Sequence, residues 1–235
     1  MKVGLLECDH VLDKYQHISG DYHNMFSALF PQWEFELFDA VNGHFPKNVE
    51  ACEVYICSGS HFSVYDEADW ILRLKAFTRE IHQAGRYFLG ICFGHQILAE
   101  ALGGKVEKAK AGWCVGIHTF EVLQQESWMQ PFQPTYNLLM MCQDQVVQLP
   151  ENSQLLAQTA DCPLAMFRIG NQMLSLQGHP EFSKAYDQQL MLDRVERMGA
   201  EKVQKGIASL ERPLDSDLMA KWMLAFLESS NMKFP

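Results

Sequence analysis

Residues 86–104, RYFLGICFGHQILAEALGG, pass from an apolar run through a cysteine between two glycines into a helical pattern. The first part, RYFLGIC, predicts a buried strand, and HQILAEALGG predicts a helix that ends at Gly103 and Gly104. A strand that runs directly into a helix is the repeating unit of a parallel α/β sheet. The segment therefore predicts an α/β fold with Cys92 at the carboxyl end of a strand.

The chain before this segment shows the same alternation. Three further apolar runs predict strands, namely KVGLLEC at 2–8, WEFELFDA at 33–40 and EVYICSGS at 53–60. Helices are predicted for YHNMFSALF at 22–30 and for 67–84, where the apolar residues share one face. Such alternation predicts a mostly parallel sheet covered by helices on both faces, with ligands bound beyond the carboxyl ends of the strands.

The chain after about residue 105 changes character. Four apolar runs separated by polar turns predict an antiparallel extension of the sheet: VGIHTFEVL, YNLLMM, PLAMFRI and QMLSLQG. The hydrophilic stretch EKAKAG at 107–112 is predicted to be a solvated turn. Beyond Pro180, AYDQQLMLDRVERMG and DSDLMAKWMLAFLES predict two helices, the second with Asp215 or Ser216 as its N-cap. We expect one domain over 1–235, with a core at about 1–185 and a helical tail at about 186–235.

The composition indicates which kinds of partner the protein binds and in which compartment it is found. A formal net charge of -10 argues against a general nucleic-acid binder, which needs a basic surface. No stretch approaches ~20 uninterrupted apolar residues, and Glu7 and Asp9 interrupt the first apolar run, so we expect neither a membrane partner nor a secretory signal. The seven cysteines are scattered without CxxC pairs, which predicts free thiols in a reducing, cytoplasmic setting and no metal site.

The glycines around Cys92 form a G-x-C-x-G pattern, the cysteine version of the nucleophile elbow. Small residues two positions before and two positions after the nucleophile leave room for a strained strand-to-helix turn. The helix N-terminus favours a thiolate, and the amide of Phe93 can donate to an oxyanion. At this stage an inert cysteine in a glycine-rich turn remains the alternative.

A second motif, QGHPEF at 177–182, supplies a base and an orienting acid. Pro180 keeps the chain out of a helix, and in an extended segment residues two apart face the same side. Glu181 can then accept a hydrogen bond from one ring nitrogen of His179, while the other nitrogen faces Cys92, as in a catalytic triad. The alternative is a surface-loop histidine beside a solvated carboxylate.

Together GICFGHQ at 90–96 and GHPEF at 178–182 resemble the signature motifs of class I, triad-type glutamine amidotransferase domains. The closest resemblance is to stand-alone proteins similar to the glutaminase part of guanylate synthetase. Residues 55–67, YICSGSHFSVYDE, resemble the turn that supplies a second oxyanion-hole amide. Residues 140–150, MMCQDQVVQLP, resemble a substrate-side segment in which Gln143 replaces the usual histidine. The resemblance covers roughly residues 3–185.

This resemblance implies a flavodoxin-like three-layer sandwich and hydrolysis of a γ-glutamyl amide through a γ-glutamyl thioester, without a metal or cofactor. It implies that Cys92, His179 and Glu181 form the triad. Gly59 and Phe93 would supply the oxyanion-hole amides, and Gln96 would line the site for glutamine or another γ-glutamyl small molecule.

Three functions remain open at the level of sequence. One is an amidotransferase that passes ammonia to a separate synthetase or acceptor subunit, since the sequence contains no P-loop and no SGG-type pyrophosphatase loop. Another is a stand-alone γ-glutamyl hydrolase or peptidase that uses the same triad. The third is a regulatory or binding protein that retains the fold without turnover, which an intact triad disfavours.

Overall fold

A computed structural model describes residues 2–229 of the chain. The strands are β1 Val3–Leu6, β2 Phe35–Phe38, β3 Val54–Cys57, β4 Tyr87–Ile91, β5 Lys105–Lys108, β6 Cys114–Val122, β7 Thr135–Cys142, β8 Asp144–Gln148, β9 Ser153–Gln158, β10 Met166–Ile169 and β11 Met173–Leu176. The α-helices are α1 Gln16–Ser19, α2 Tyr22–Leu29, α3 Asp69–Gln83, α4 Phe93–Ala101, α5 Lys184–Asp193, α6 Val195–Met198, α7 Ala200–Ser209 and α8 Ser216–Glu228. Short 3-10 helices lie at Asp13–Tyr15, Ala40–Asn42 and Val49–Ala51.

Within the described part of the chain, nine strands form one mixed sheet in the order β2-β1-β3-β4-β11-β10-β9-β6-β7. The strands from β2 to β11 pair in parallel, and those from β11 to β7 pair antiparallel. Helices cover both faces, and each face has its own buried apolar cluster. The predicted α/β sandwich with an antiparallel extension is therefore confirmed.

The position of β11 differs from the sequence-based expectation. QMLSLQG is predicted within the antiparallel extension, but β11 pairs in parallel with β4, and all four of its residues are buried. An apolar run that is buried on both faces is typical of a central parallel strand. Its neighbour β4 carries the cysteine turn, so the chain returns from the extension directly to the carboxyl edge where Cys92 lies.

One prediction about the middle of the chain is incomplete, and two strands there were not predicted. EKAKAG is not wholly a turn, because Glu107 and Lys108 end β5, which pairs antiparallel with β8 in a small second sheet. Only Val106 of β5 is buried, so the run carries little apolar signal. Strands β8 and β9 also lie outside the predicted elements. β8 is the partner of β5, and β9 joins β10 to β6 in the large sheet.

The tail after Pro180 contains more helices than the two that the sequence predicts. The first predicted helix divides at Arg194 into α5 and α6, and α7 lies in a stretch without a predicted element. The side chain of Asp215 does not cap α8, because it accepts a hydrogen bond from the amide of Asn137 at 2.7 Å. A side chain at position 206 would approach the sulfur of Met191, so Gly206 lets α7 pack closely against α5.

The last helix packs into the same apolar cluster as the sheet. Trp222 is completely buried, its ring lies edge-on to Tyr136 at 5.4 Å, and its indole N–H donates to the carbonyl of Pro131 at 3.2 Å. Among the helices of residues 2–229, none has the length and apolar composition that crossing a membrane requires.

Replacing Trp222 with alanine should lower the free energy of unfolding by about 3–5 kcal/mol, since it empties a fully packed aromatic site. Urea unfolding followed by circular dichroism measures the change. Lys221→Ala, one residue earlier on the exposed face of α8, is the matched control and should stay within about 0.5 kcal/mol of the wild type. Equal unfolding midpoints for the two variants would contradict a core role for α8.

Candidate active site

Cys92 occupies a strained turn between β4 and α4. Its φ of 51° and ψ of -97° lie outside the regions that residues with a side chain prefer. A Cβ at Gly90 would lie 2.5 Å from the carbonyl oxygen of Gly94, and a Cβ at Gly94 would clash with the carbonyl oxygen of Cys57. Both glycines are therefore required for the turn, as the elbow pattern predicts.

The structure brings Cys92, His179 and Glu181 together, all of them buried. Nδ1 of His179 lies 2.7 Å from Oε1 of Glu181, and the imidazole also hydrogen-bonds to Cys92. The amide of His179 donates to the carbonyl of Leu139 on β7 at 2.8 Å. The ring stacks on Phe182 with 3.9 Å between centroids. Backbone and ring contacts thus hold the imidazole between thiol and carboxylate.

Electrostatics favours a charged imidazole at this position. Burial by itself lowers the pKa of His179, but the charge of Glu181 and the neighbouring Cys92, together with hydrogen bonds to both, raises that pKa to about 10. His95 on α4 shows the opposite behaviour, because burial lowers its pKa to about 3. Its ring lies between the hydroxyl of Ser175 and the carbonyl of Leu164. Two buried histidines therefore have opposite charge preferences, and only the one beside a carboxylate is protonated at neutral pH.

The residues predicted for the oxyanion hole lie at the same edge of the sheet. A Cβ at Gly59 would lie 2.9 Å from Cε1 of His179, so the chain at this position passes directly against the imidazole. The hydroxyl of Ser58 accepts from the amide of Cys8 at 2.9 Å and donates to the carbonyl of Gly59 at 3.1 Å. Phe93 is the first residue of α4, where amides have no partner within the helix.

Gln96 is connected to Cys92 through a second glutamine that the sequence analysis missed. Nε2 of Gln96 donates to the carbonyl of Asp144 at 2.8 Å and to Oε1 of Gln177 at 3.3 Å. Nε2 of Gln177 in turn donates to the sulfur of Cys92 at 3.4 Å. The only sequence signal for Gln177 is its place between β11 and the GHPEF motif.

A buried carboxyl on α5 was also missed. Asp187 is inaccessible to solvent, and neither of its oxygens makes a well-formed hydrogen bond. Burial raises its pKa to about 7, against the opposing effects of His179, the nearby amide of Gly116 and Arg194. An aspartate within a predicted surface helix gives no indication of such burial.

Two clefts open on Cys92. The first, the polar cleft, has a volume of about 110 Å³ and includes Gln96, Lys108, Trp113, Gln143 and Asp144. The second, the aromatic cleft, has a volume of about 310 Å³ and includes Tyr15, Tyr22, Phe182, Tyr186 and Leu190. The residues that line both clefts are Ser60, His61, Cys92, Met141, Arg194 and Arg197. Cys92 thus lies where a ligand with two unlike halves could place its central bond.

One group of described residues has metal-ligating atoms close together, namely Glu7, Asp21 and His23, within 4.8 Å. Asp21 caps α2, and its Oδ1 accepts hydrogen bonds from the amides of Val11 and Tyr22. Oε1 of Glu7 accepts from the amide of His23 at 3.2 Å. These carboxylates already serve the fold, and none of the three residues lines either cleft.

Comparison with known proteins identifies the family. Residues 61–197 match the glutamine amidotransferase class-I family, and this match includes Cys92, His179 and Glu181. The chain belongs to the class-I glutamine amidotransferase family. It is 36% identical over 190 residues to Gamma-glutamyl peptidase 4 of Arabidopsis thaliana. The aligned region covers 76% of this chain and 73% of that protein.

Other family members share smaller parts or the fold alone. The chain is 33% identical over 150 residues to a glutamine-hydrolyzing GMP synthase of Bacteroides fragilis, covering 63% of this chain and 28% of that enzyme. The crystal structure of a glutamine amidotransferase from Thermotoga maritima superimposes with a TM-score of 0.75 and 20% identity, over 97% of this chain and 98% of that one. At this identity, the superposition supports the amidotransferase fold.

Glu181→Gln should lower the pKa of His179, because it removes the negative charge that stabilises the imidazolium. NMR of ring-labelled histidine measures both states: in the wild type His179 should stay protonated at pH 7 and lose its proton only as the pH approaches about 10. His95 is the internal control and should be neutral at pH 7 in both proteins. An unchanged titration of His179 in the variant would show that Glu181 does not set its charge.

Proposed function

We propose that this chain hydrolyses a γ-glutamyl amide through Cys92, His179 and Glu181. The observation that carries the proposal is the placement of Cys92 on a strained turn at a helix N-terminus, with His179 hydrogen-bonded to both Cys92 and Glu181. A thiol beside a histidine that a carboxylate orients is the arrangement of a nucleophilic triad. Family membership supports the same chemistry, because the matched region includes all three residues.

In the proposed reaction, the thiolate of Cys92 attacks the side-chain carbonyl carbon of the γ-glutamyl group. The amides of Gly59 and Phe93 donate to the oxyanion, and one such donor is typically worth about 3 kcal/mol in the transition state. His179 gives its proton to the leaving nitrogen as the carbon–nitrogen bond breaks, which leaves a γ-glutamyl thioester. His179 then takes a proton from water, and the hydroxide attacks the thioester carbonyl carbon. The carbon–sulfur bond breaks, which releases glutamate and restores the Cys92 thiolate beside the protonated His179.

The polar cleft is the proposed site for the γ-glutamyl group. It contains Gln96, which the family resemblance assigns to substrate binding, and Gln177 links Gln96 to the nucleophile. A glutamyl group carries an α-ammonium and an α-carboxylate, and the cleft has Asp144 and Lys108 as partners of opposite charge.

The proposal also includes a single domain over 1–235 and a cytoplasmic location. Seven free cysteines support the cytoplasmic location, because a reducing compartment keeps thiols free.

The fate of the nitrogen separates two candidate functions. In an amidotransferase, ammonia passes to a separate synthetase or acceptor subunit, and similarity to the glutaminase region of a GMP synthase supports this reading. In a stand-alone γ-glutamyl hydrolase or peptidase, a larger amine leaves. The aromatic cleft favours the second, because its volume of about 310 Å³ far exceeds the needs of ammonia. A cavity for one water molecule, which is of similar size to ammonia, needs only about 10–15 Å³ of the same kind of volume. Relatives named Gamma-glutamyl peptidase support it too.

Purified protein should release glutamate from at least one member of a panel of γ-glutamyl compounds that includes glutamine, and Cys92→Ala should abolish this release. Cys52→Ala is the matched control, because Cys52 is also a buried thiol but lines neither cleft at Cys92. Glutamate is measured by a coupled dehydrogenase assay.

A diazo-ketone analogue of glutamine tests the nucleophile independently of turnover. Mass spectrometry should find one adduct, on Cys92. Equal glutamate release by wild type and Cys92→Ala, or an adduct on another cysteine, would overturn the proposed mechanism.

A further inference from the structure

Two arginines line the junction of the two clefts without a carboxylate partner. Arg194 lies where α5 meets α6, and Arg197 lies on α6, three residues later. Within residues 2–229 neither guanidinium forms an ion pair or a side-chain hydrogen bond. The guanidinium of Arg197 lies over the ring of Trp113, 5.4 Å from its centroid. Both side chains line the polar cleft and the aromatic cleft.

The acids of the aromatic cleft already have partners other than the two arginines. Asp9 accepts a hydrogen bond from the amide of His61 at 2.8 Å and lies 2.7 Å from Nδ1 of the same residue. Asp193 accepts from Lys14 at 2.7 Å and from the hydroxyl of Tyr15 at 2.6 Å. Arg194 interacts with the carboxyl groups of Asp187 and Asp193 only at longer range, without an ion-pair contact, so both guanidinium groups keep free hydrogen-bond donors at the clefts. Paired guanidinium groups beside a cleft favour a carboxylate ligand.

The polar cleft does not need these arginines to bind a glutamyl group. Asp144 is fixed by the hydroxyls of Ser63 at 2.6 Å and Tyr65 at 2.9 Å, so its carboxylate can accept an ammonium. Lys108 in the same cleft forms no ion pair among the described residues and can meet the α-carboxylate. The arginines at the junction are thus available for a second negative charge, on the other side of the scissile bond.

We propose that Arg194 and Arg197 bind the carboxylate of the leaving amino acid, which makes γ-glutamyl dipeptides the substrate class of this site. This inference rests on the proposed hydrolysis at Cys92. The side chain of the leaving residue occupies the aromatic cleft, whose walls of Tyr15, Tyr22, Phe182, Tyr186 and Leu190 suit an apolar or aromatic group. Glutamine loses only ammonia and leaves both the aromatic cleft and the arginines without a ligand.

The test compares three substrates that share the γ-glutamyl group. γ-Glutamyl-phenylalanine carries the carboxylate and the aromatic ring, γ-glutamyl-phenethylamide carries the ring alone, and glutamine carries neither. Wild type should have the highest kcat/KM for γ-glutamyl-phenylalanine. Because a hydrogen bond to a charged group is worth about 1.5–3 kcal/mol, each of R194Q and R197Q should lower that value about 10- to 100-fold, mainly by raising KM.

The same variants should change kcat/KM for γ-glutamyl-phenethylamide by less than about threefold, since that substrate has no carboxylate on the leaving side. Arg79→Gln, at an exposed position of α3 away from both clefts, is the control and should match the wild type on all three substrates. R197K should recover part of the loss on γ-glutamyl-phenylalanine, because it keeps the charge without the planar fork. Labelling of Cys92 by the diazo-ketone glutamine analogue at the wild-type rate shows that each variant is folded.

Three results would overturn the inference. Equal losses on γ-glutamyl-phenylalanine and γ-glutamyl-phenethylamide would place the arginines on the glutamyl carboxylate. Unchanged kinetics in the R194Q/R197Q double variant would show that they bind no substrate. A wild type that prefers glutamine would remove the dipeptide assignment while leaving hydrolysis at Cys92 intact. Absence of turnover on all three substrates, with no labelling of Cys92, would instead overturn the proposed function itself.

Discussion

The strained backbone at Cys92 is the constraint on which the rest of the site depends. A residue with a side chain at positive φ costs on the order of 1–3 kcal/mol, so the surrounding structure must hold it in place. The amide of Cys92 donates to Leu176 on β11 at 2.9 Å, and its carbonyl accepts from Gln96 in the first turn of α4 at 3.1 Å. The central sheet and a buried helix thus hold the turn from both sides, and Cys92 lines both clefts.

Neighbouring parallel strands explain how distant motifs meet at this turn. β3, β4 and β11 are adjacent in the sheet, and their carboxyl ends carry Gly59, Cys92 and the segment that leads to His179. The antiparallel extension contributes through Leu139 on β7, whose carbonyl accepts the amide of His179. The order of the strands therefore brings a thiol, an imidazole and two candidate oxyanion donors together at one edge of the sheet.

The helical tail adds positive charge at the junction of the two clefts. α5 follows the GHPEF motif almost directly, so its far end and the start of α6 return to the mouth of the site. This path brings Arg194 and Arg197 to the clefts that Cys92 lines, and it buries Asp187 close enough to His179 for the two groups to interact electrostatically. Helix α5 therefore does more than cover the sheet, because its residues Tyr186 and Leu190 form one wall of the aromatic cleft.

Local sequence determined the alternating α/β core, the elbow at Cys92 and the pairing of His179 with Glu181, because each follows from residue type and short spacing. Glycines two positions from Cys92 and a proline between base and acid restrict the backbone wherever the segment lies. Only the tertiary structure decided that β11 lies beside β4, that β5 and β9 are strands, and that α7 packs through Gly206. The same holds for Gln177, Asp187, Arg194 and Arg197, whose burial or position at the clefts depends on contacts between distant segments. A polar residue in a surface-like pattern has no local signal for such contacts. The strained turn at Cys92 could therefore be predicted from sequence, and the residues that line the two clefts beside it could not.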